Sequence, residues 1–146
     1  MLYFDTSLLV PLILPEATSS KITAFFRTLA ADAFTVSHWT LVEFSSLIAR
    51  EVRMGRLDGA AAMRADARFG EMVEASFTIL LPTAGDFTLA RQYLRNPETG
   101  LRAGDALHLA VAANHHAAAI YSLDKILLRA GTVLRLPVSM GIRTRS

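Results

Sequence analysis

Leu2-Tyr3-Phe4-Asp5-Thr6-Ser7 opens on three apolar, β-favouring residues and breaks at an acid followed by two hydroxyls. A short apolar run bounded by cap and turn residues reads as a buried strand. Asp5 is out of place at its end, because an unpaired buried carboxylate is costly. Either it caps a short helix over Ser7–Leu14, or it serves chemistry at the strand's carboxyl end.

Working outward, strand-like runs alternate with longer helical patterns. A helical stretch follows Pro15-Glu16, with Ile22, Phe25, Phe26 and Leu29 at helical spacing. Phe34-Thr35-Val36 reads as a second strand. A helix then runs from about His38 to Met54, with Leu41, Phe44 and Ile48 on one stripe. Gly55 stops it, and Asp58 caps the next helix, to about Ala75. Thr78-Ile79-Leu80-Leu81 is a third strand ended by Pro82, and a helix over Ala84–Leu94 leads to the loop Asn96-Pro97-Glu98-Thr99-Gly100. Arg102–His116 is a strong helix, Ala118–Ser122 a buried strand and Thr132–Leu136 a short last strand, with the tail from Pro137 expected to be loosely held. This alternation predicts an α/β fold: one domain over residues 1–146, with a mostly parallel central sheet flanked by helices.

Composition agrees with one packed domain. At 146 residues, 52% apolar and 19% charged, with a mean hydropathy of +0.35, the chain is not a charge-rich disordered polymer. A chain of this size buries about 70% of the surface its unfolded form exposes. It has no cysteine, which excludes disulfides, thiolate metal sites and thiol catalysis. Formal net charge is +2, and 13 arginines stand against only Lys21 and Lys125. That permits nucleic-acid binding without demanding it. The apolar start carries Asp5 and no basic residue before Lys21, unlike a secretory signal, and no apolar run approaches the roughly 20 residues of a membrane span. A soluble cytoplasmic protein with no membrane partner is the expectation.

Four acids sit in segments that should be substantially buried: Asp5, Glu43 within Leu41-Val42-Glu43-Phe44, Asp105 within Leu101–Ala110, and Asp124 closing Ile120-Tyr121-Ser122-Leu123-Asp124. Each has a bland reading. Asp5 and Asp124 are good helix caps, Asp105 is favoured in a first helical turn, and Glu43 could pair with Arg50 or Arg53. Their placement links them. In an open parallel sheet, ligand sites form outside the carboxyl ends of the strands. Asp5 and Asp124 lie at such ends, Asp105 starts the helix leading to the Ala118–Ser122 strand, and Glu43 is in the second turn of a helix that follows a strand. Four converging carboxylates repel, and a hard divalent cation relieves the repulsion. All-oxygen ligands select Mg²⁺ or Mn²⁺, which can promote phosphodiester hydrolysis.

The histidines are poor ligands by spacing. His108 and His115 lie about 10.5 Å apart along one helix face, and His115-His116 mark a helix end. His38 beside Trp39 could stack on a base, although a surface pair at a helix start is the plainer reading.

The ordered set Leu2–Ser7, Glu43 preceded by Ser37-His38-Trp39, Gly104–Ala110 and Tyr121-Ser122-Leu123-Asp124 resembles the PIN domain, and within it the VapC-type toxins of toxin–antitoxin operons. The match covers roughly Met1–Leu136. The resemblance implies a metal-dependent endoribonuclease with Asp5, Glu43, Asp105 and Asp124 as the acidic quartet. Mg²⁺ or Mn²⁺ would be held chiefly by Asp5 and Asp105, directly or through water. Ser7 would hydrogen-bond the metal shell and Ser122 would orient the site near Asp124. It also implies an RNA substrate, a small VapB-type antitoxin lying across an apolar groove, and a homodimer. Two departures stand out: Ser122 occupies a position where the family often has Thr, and Lys125-Ile126-Leu127 supplies neither the second acid nor the aromatic of the family's closing motif.

Several further assignments stay open. Phe25, Phe26, Phe69 and Met72 could form the antitoxin groove, or simply core. Arg50, Arg53 and Arg56 could contact phosphates, or form a solvated helix face. A haloacid-dehalogenase-like phosphatase also begins with a strand and an Asp, but needs a second Asp where Ser7 stands. A PIN-like interaction module without catalysis and a DNA-directed nuclease of the same architecture are the remaining alternatives.

Overall fold

The computed structural model describes residues 1–143. Five short strands, β1 (Leu2–Phe4), β2 (Phe34–Ser37), β3 (Thr78–Leu80), β4 (Ala119–Tyr121) and β5 (Val138–Ser139), form one sheet in the order β3-β2-β1-β4-β5. Every pairing is parallel, as the alternation of strands and helices requires. The helices are α1 (Thr6–Leu9), α2 (Ser19–Arg27), α3 (His38–Arg53), α4 (Gly59–Ser76), α5 (Ala84–Arg95), α6 (Ala103–Asn114) and α7 (Lys125–Val133).

Strand alternation divides the core between the two faces of the sheet. Phe4 points into one, with Val36, Ile22, Phe44, Ile48, Phe69 and Val73. Its neighbour Tyr3 points into the other, with Ile120, Leu109, Val111, Leu127 and Ala130. On the first face Phe4 stacks on Phe26 at 4.8 Å and on Tyr121 at 5.3 Å, and Phe69 stacks on Phe44 at 3.9 Å. Phe69 is therefore core; Phe26 and Met72 are half-buried and line a groove between α2 and α4.

The chain leaves β1 for β2 on one side and returns for β4 on the other. Strand order thus reverses between β1 and β4, the place where such sheets open a crevice at their carboxyl edge. The N-termini of α1, α3, α6 and α7 all face that edge, since each helix follows or precedes a parallel strand and runs back along it. Asp58 caps α4 as expected, accepting from Ala61 N at 2.7 Å.

The last strand differs from the expectation. Thr132 and Val133 are β-branched, yet α7 continues through Val133, and the strand is Val138–Ser139. Arg135 takes a left-handed conformation (φ 60°), and Leu136 N donates to Gly131 O at 2.8 Å, so the helix ends in a closed turn. The chain then re-enters the sheet: Ile120 N donates to Pro137 O at 2.8 Å and Ser122 N to Ser139 O at 3.1 Å. The segment after Pro137 is held by these bonds, and Lys21 Nζ donates to Arg143 O at 3.2 Å. Of the tail expected to be loosely held from Pro137, residues 144–146 lie outside the described residues.

Gly131 lets α7 lie flush on β5, because a Cβ there would meet Val138 Cγ1 at 2.2 Å. We expect Gly131→Ala to destabilise the fold by about 1–3 kcal/mol in urea unfolding, with partial recovery when Val138→Ala is added.

Candidate metal centre at the sheet's carboxyl edge

Asp5 is only 3% exposed, and its compensation comes from hydroxyls on two strand ends. Ser7 Oγ donates to Oδ1 at 2.7 Å and Ser122 Oγ to Oδ2 at 2.8 Å. The helix-cap reading also holds, since Leu8 N reaches Oδ1 at 3.4 Å. The same serines accept from the backbone beyond β4: Leu123 N donates to Ser7 at 2.9 Å and Asp124 N to Ser122 at 2.9 Å. Ser122 thus ties the backbone at Asp124 to Asp5 through the hydroxyl it shares with threonine. Burial raises the Asp5 pKa above the ordinary carboxylate value, with Glu43 adding to the rise, against the lowering effect of His108 and the two serines.

Asp105 lies in the first turn of α6 and is half-buried. Burial, then the charges of Asp124, Asp5 and Glu43, push its pKa up to about 6; His108 is the one group that opposes this. Asp124 caps α7, accepting from Ile126 N at 2.8 Å and Leu127 N at 3.3 Å, both at Oδ1. Among the described residues no lysine or arginine forms an ion pair with Asp5, Asp105 or Asp124.

Glu43 is placed differently. It makes no pair with Arg50 or Arg53. Its Oε1 accepts from Thr6 Oγ1 at 2.6 Å and from His108 Nε2. Although burial opposes it, the His108 hydrogen bond and charge, with Thr6 and Trp39, lower its pKa. His108 is fully buried. Burial works against its charged form, but Tyr3, the Glu43 hydrogen bond and charge, and Asp5 outweigh that and push its pKa up to about 10.

The structure thus brings Asp5, Ser7, Asp105, Ser122 and Asp124 to one edge and gives Glu43 a buried histidine partner. Among the described residues, no three His, Asp or Glu side chains form a ligating group. The donor chemistry still fits Mg²⁺, which keeps several waters and needs only one or two carboxylates. Asp5 and Asp105 are the pair that would hold it, with Asp124 close enough to bear on Asp105.

His108, Tyr3, Thr6 and Trp39 were not singled out as site residues from sequence. Two spacings carried the signal: Asp105 and His108 are three apart on α6, and Trp39 and Glu43 four apart on α3, so each pair shares a helix face. A groove of about 550 Å³ opens beside them, lined by His38, Trp39, Val42, Phe87, Arg91 and Gly104. Trp39 Nε1 donates to Gly104 O at 3.2 Å, closing the groove wall against the acids. Arg50, Arg53 and Arg56 are exposed, and Arg56 pairs with Glu51 at 2.8 Å.

A parallel sheet whose strand order reverses between β1 and β4, with Asp5, Asp105 and Asp124 at its carboxyl edge, defines an α/β domain with an acidic crevice. The chain belongs to the PIN domain family, whose sequence pattern matches residues 2–133. It shares its fold with VapC20 of Mycobacterium tuberculosis, a sarcin–ricin loop cleaving toxin (TM-score 0.72, 22% identity, 90% of this chain and 95% of that one). FitAcB of Neisseria gonorrhoeae is similar over 97% of this chain and 98% of its own (TM-score 0.72, 18% identity). VapBC-1 of nontypeable Haemophilus influenzae matches over 97% and 98% (TM-score 0.66, 13% identity). No curated protein is similar enough in sequence to match.

Two predictions follow from the charges. Replacing Ser122 with Ala leaves Asp5 Oδ2 without its donor; the expected cost is about 1–3 kcal/mol in urea unfolding. For Asp105, the folded pKa near 6 lies above its ordinary value of 3.8, so its contribution to stability is fully present below the ordinary value and is lost as pH rises through about 6. Asp105→Asn should therefore raise the melting temperature of the metal-free protein at about pH 7.5 more than at about pH 5, and Mg²⁺ should narrow the gap at the higher pH.

Proposed function

We propose that this protein is a metal-dependent endoribonuclease, the toxin of a type II toxin–antitoxin pair. The observation that supports this most directly is the set Asp5, Asp105 and Asp124 at the sheet's switch point, without an ion-paired lysine or arginine among the described residues and with Asp105 pushed up to about 6. Such a set is unfavourable alone and favourable around a divalent cation.

When bound, Mg²⁺ or Mn²⁺ would polarise a phosphodiester and offset the charge that develops during its hydrolysis. The chain's own part is to hold Asp5 and Asp105 toward the ion, Asp5 through Ser7 and Ser122. Asp124 adds negative charge at Asp105 while capping α7. Protonation of Asp105 and uptake of a cation compete, so binding strengthens as pH rises through about 6. Trp39 and Arg91, in the wall of the adjoining groove, offer a stacking face and a phosphate contact for the flanking strand.

RNA as substrate is supported by the likeness to VapC20, which cleaves the sarcin–ricin loop. An antitoxin partner of the VapB type is supported by the toxin–antitoxin complexes that share the fold, including one from Klebsiella pneumoniae. The groove with Phe26 and Met72 in its wall is available to such a segment. The resemblance to the family implies in addition a homodimer, and the same reading places it in the cytoplasm. No helix among the described residues is long and apolar enough to cross a membrane.

The test is cleavage of end-labelled total RNA by the purified chain with Mg²⁺ or Mn²⁺, with EDTA, and with Asp105→Asn. Cutting that needs the metal and drops by about a hundredfold or more in the variant is the expected result. Equal cutting by both proteins would remove Asp105 from the mechanism. Binding of Mn²⁺ with cutting of DNA alone would favour a DNA-directed enzyme, and neither binding nor cutting would favour a non-catalytic module.

A further inference from the structure

Tyr3, Ser37 and His108 are fully buried polar groups that phosphodiester chemistry at Asp5 and Asp105 does not use. They form one chain. Tyr3 Oη donates to Ser37 Oγ at 3.0 Å and is hydrogen-bonded to His108 Nδ1 at 2.7 Å; the opposite nitrogen, Nε2, donates to Glu43 Oε1. Ser37 is in turn tied into the first turn of α3, its N–H donating to Thr40 Oγ1 at 3.2 Å. Strands β1 and β2 and helices α3 and α6 each contribute a member, and no buried side-chain polar atom among the described residues lacks a partner.

We propose that His108 is a positioning residue: backed by Tyr3, it anchors Glu43 so that only Oε2 faces the acidic edge, and it keeps Glu43 when a divalent cation is bound at Asp5 and Asp105. The clause about the cation rests on the proposed function; the anchoring does not. Three observations carry it. Oε1 already accepts from both Thr6 and His108. Oε2 lies against Gly104 beside the Trp39 ring, so close that a Cβ on Gly104 would meet Oε2 at 2.9 Å and the ring at 3.1 Å. A cation that drew Glu43 away would also leave a fully buried imidazole nitrogen without an acceptor, which is costly. Asp105 and His108, three apart on α6, hold the metal-side acid and the anchor to one rigid element. Glu43 thus acts beside the ion and not as one of its ligands.

The experiment combines histidine ring ¹⁵N–¹H spectra during Mg²⁺ titration with Mn²⁺ calorimetry. It uses wild type, Asp5→Asn, Glu43→Gln and His108→Gln. We expect the His108 ring signals to change in Glu43→Gln but to stay put as Mg²⁺ saturates the wild type. Mn²⁺ affinity should fall by about tenfold or more in Asp5→Asn but stay within about threefold of wild type in Glu43→Gln and His108→Gln. In RNA cleavage, His108→Gln should lower kcat, and adding it to Glu43→Gln should cost little more, because both remove one unit. Movement of the His108 signals at the midpoint of Mg²⁺ uptake, or a loss in Glu43→Gln equal to that in Asp5→Asn, makes Glu43 a ligand and overturns the proposal. Multiplicative losses in the double variant reduce His108 to a structural role and overturn it as well. If His108→Gln does not fold, Tyr3→Phe takes its place, with the same expected pattern. A wild type that takes up no Mn²⁺ defeats the nuclease reading and the cation clause together, while the effect of Glu43→Gln on the His108 spectrum still decides the anchor.

Discussion

A carboxylate that is 3% exposed must find donors inside the protein, and Asp5 finds them on two different strand ends. Ser7 comes from the first turn of α1, directly after β1, and Ser122 from the turn after β4, so Asp5 can be compensated only when those strands lie side by side and end together. The parallel register that pairs Phe4 with Tyr121 provides this. Electrostatic need and sheet topology are therefore one constraint. The hydroxyls that satisfy it also accept from Leu123 N and Asp124 N, which places the fourth acid as a consequence of stabilising the first.

The strand pleat then separates two environments across one peptide bond. Phe4 enters the aromatic cluster with Phe26, Phe34, Phe77 and Tyr121. Tyr3, on the opposite face, begins the polar chain to His108 and Glu43. The acids divide accordingly: although burial opposes it, the His108 hydrogen bond and charge, with Thr6 and Trp39, lower the Glu43 pKa, while burial and the charges of Asp124, Asp5 and Glu43 push Asp105 up to about 6. Carboxylates at one edge of one sheet thus sit on opposite sides of their ordinary values. Glu43 accepts from His108 and Thr6, whereas Asp105 stands among other acids with no ion-paired lysine or arginine among the described residues.

Much of this was legible in the sequence, and the failures have particular causes. β1, β2, β3, β4 and the helices from α2 to α6 follow from apolar periodicity and from caps such as Asp58. The last strand was misplaced because Thr132 and Val133 favour strands locally, whereas Gly131 against Val138 lets α7 run on and Arg135 turns it back. The helix-cap readings of Asp5 and Asp124 hold together with their place at the edge, since one carboxylate can cap a helix and still face a site. His108 was set aside by measuring it against His115 along one helix. Its actual partners, Tyr3 and Glu43, lie 105 and 65 residues away.

Alternating strand and helix patterns, with an acid at the end of β1, by themselves determined the fold class and which carboxylates sit in apolar surroundings. They could do so because periodicity and burial cost are local properties of a segment. Which acids would lie together at the edge, and which would be paired within the protein, was decided only by tertiary structure. That outcome depends on side chains brought within hydrogen-bond reach by parallel strand order, as Ser122 is brought to Asp5 and His108 to Glu43.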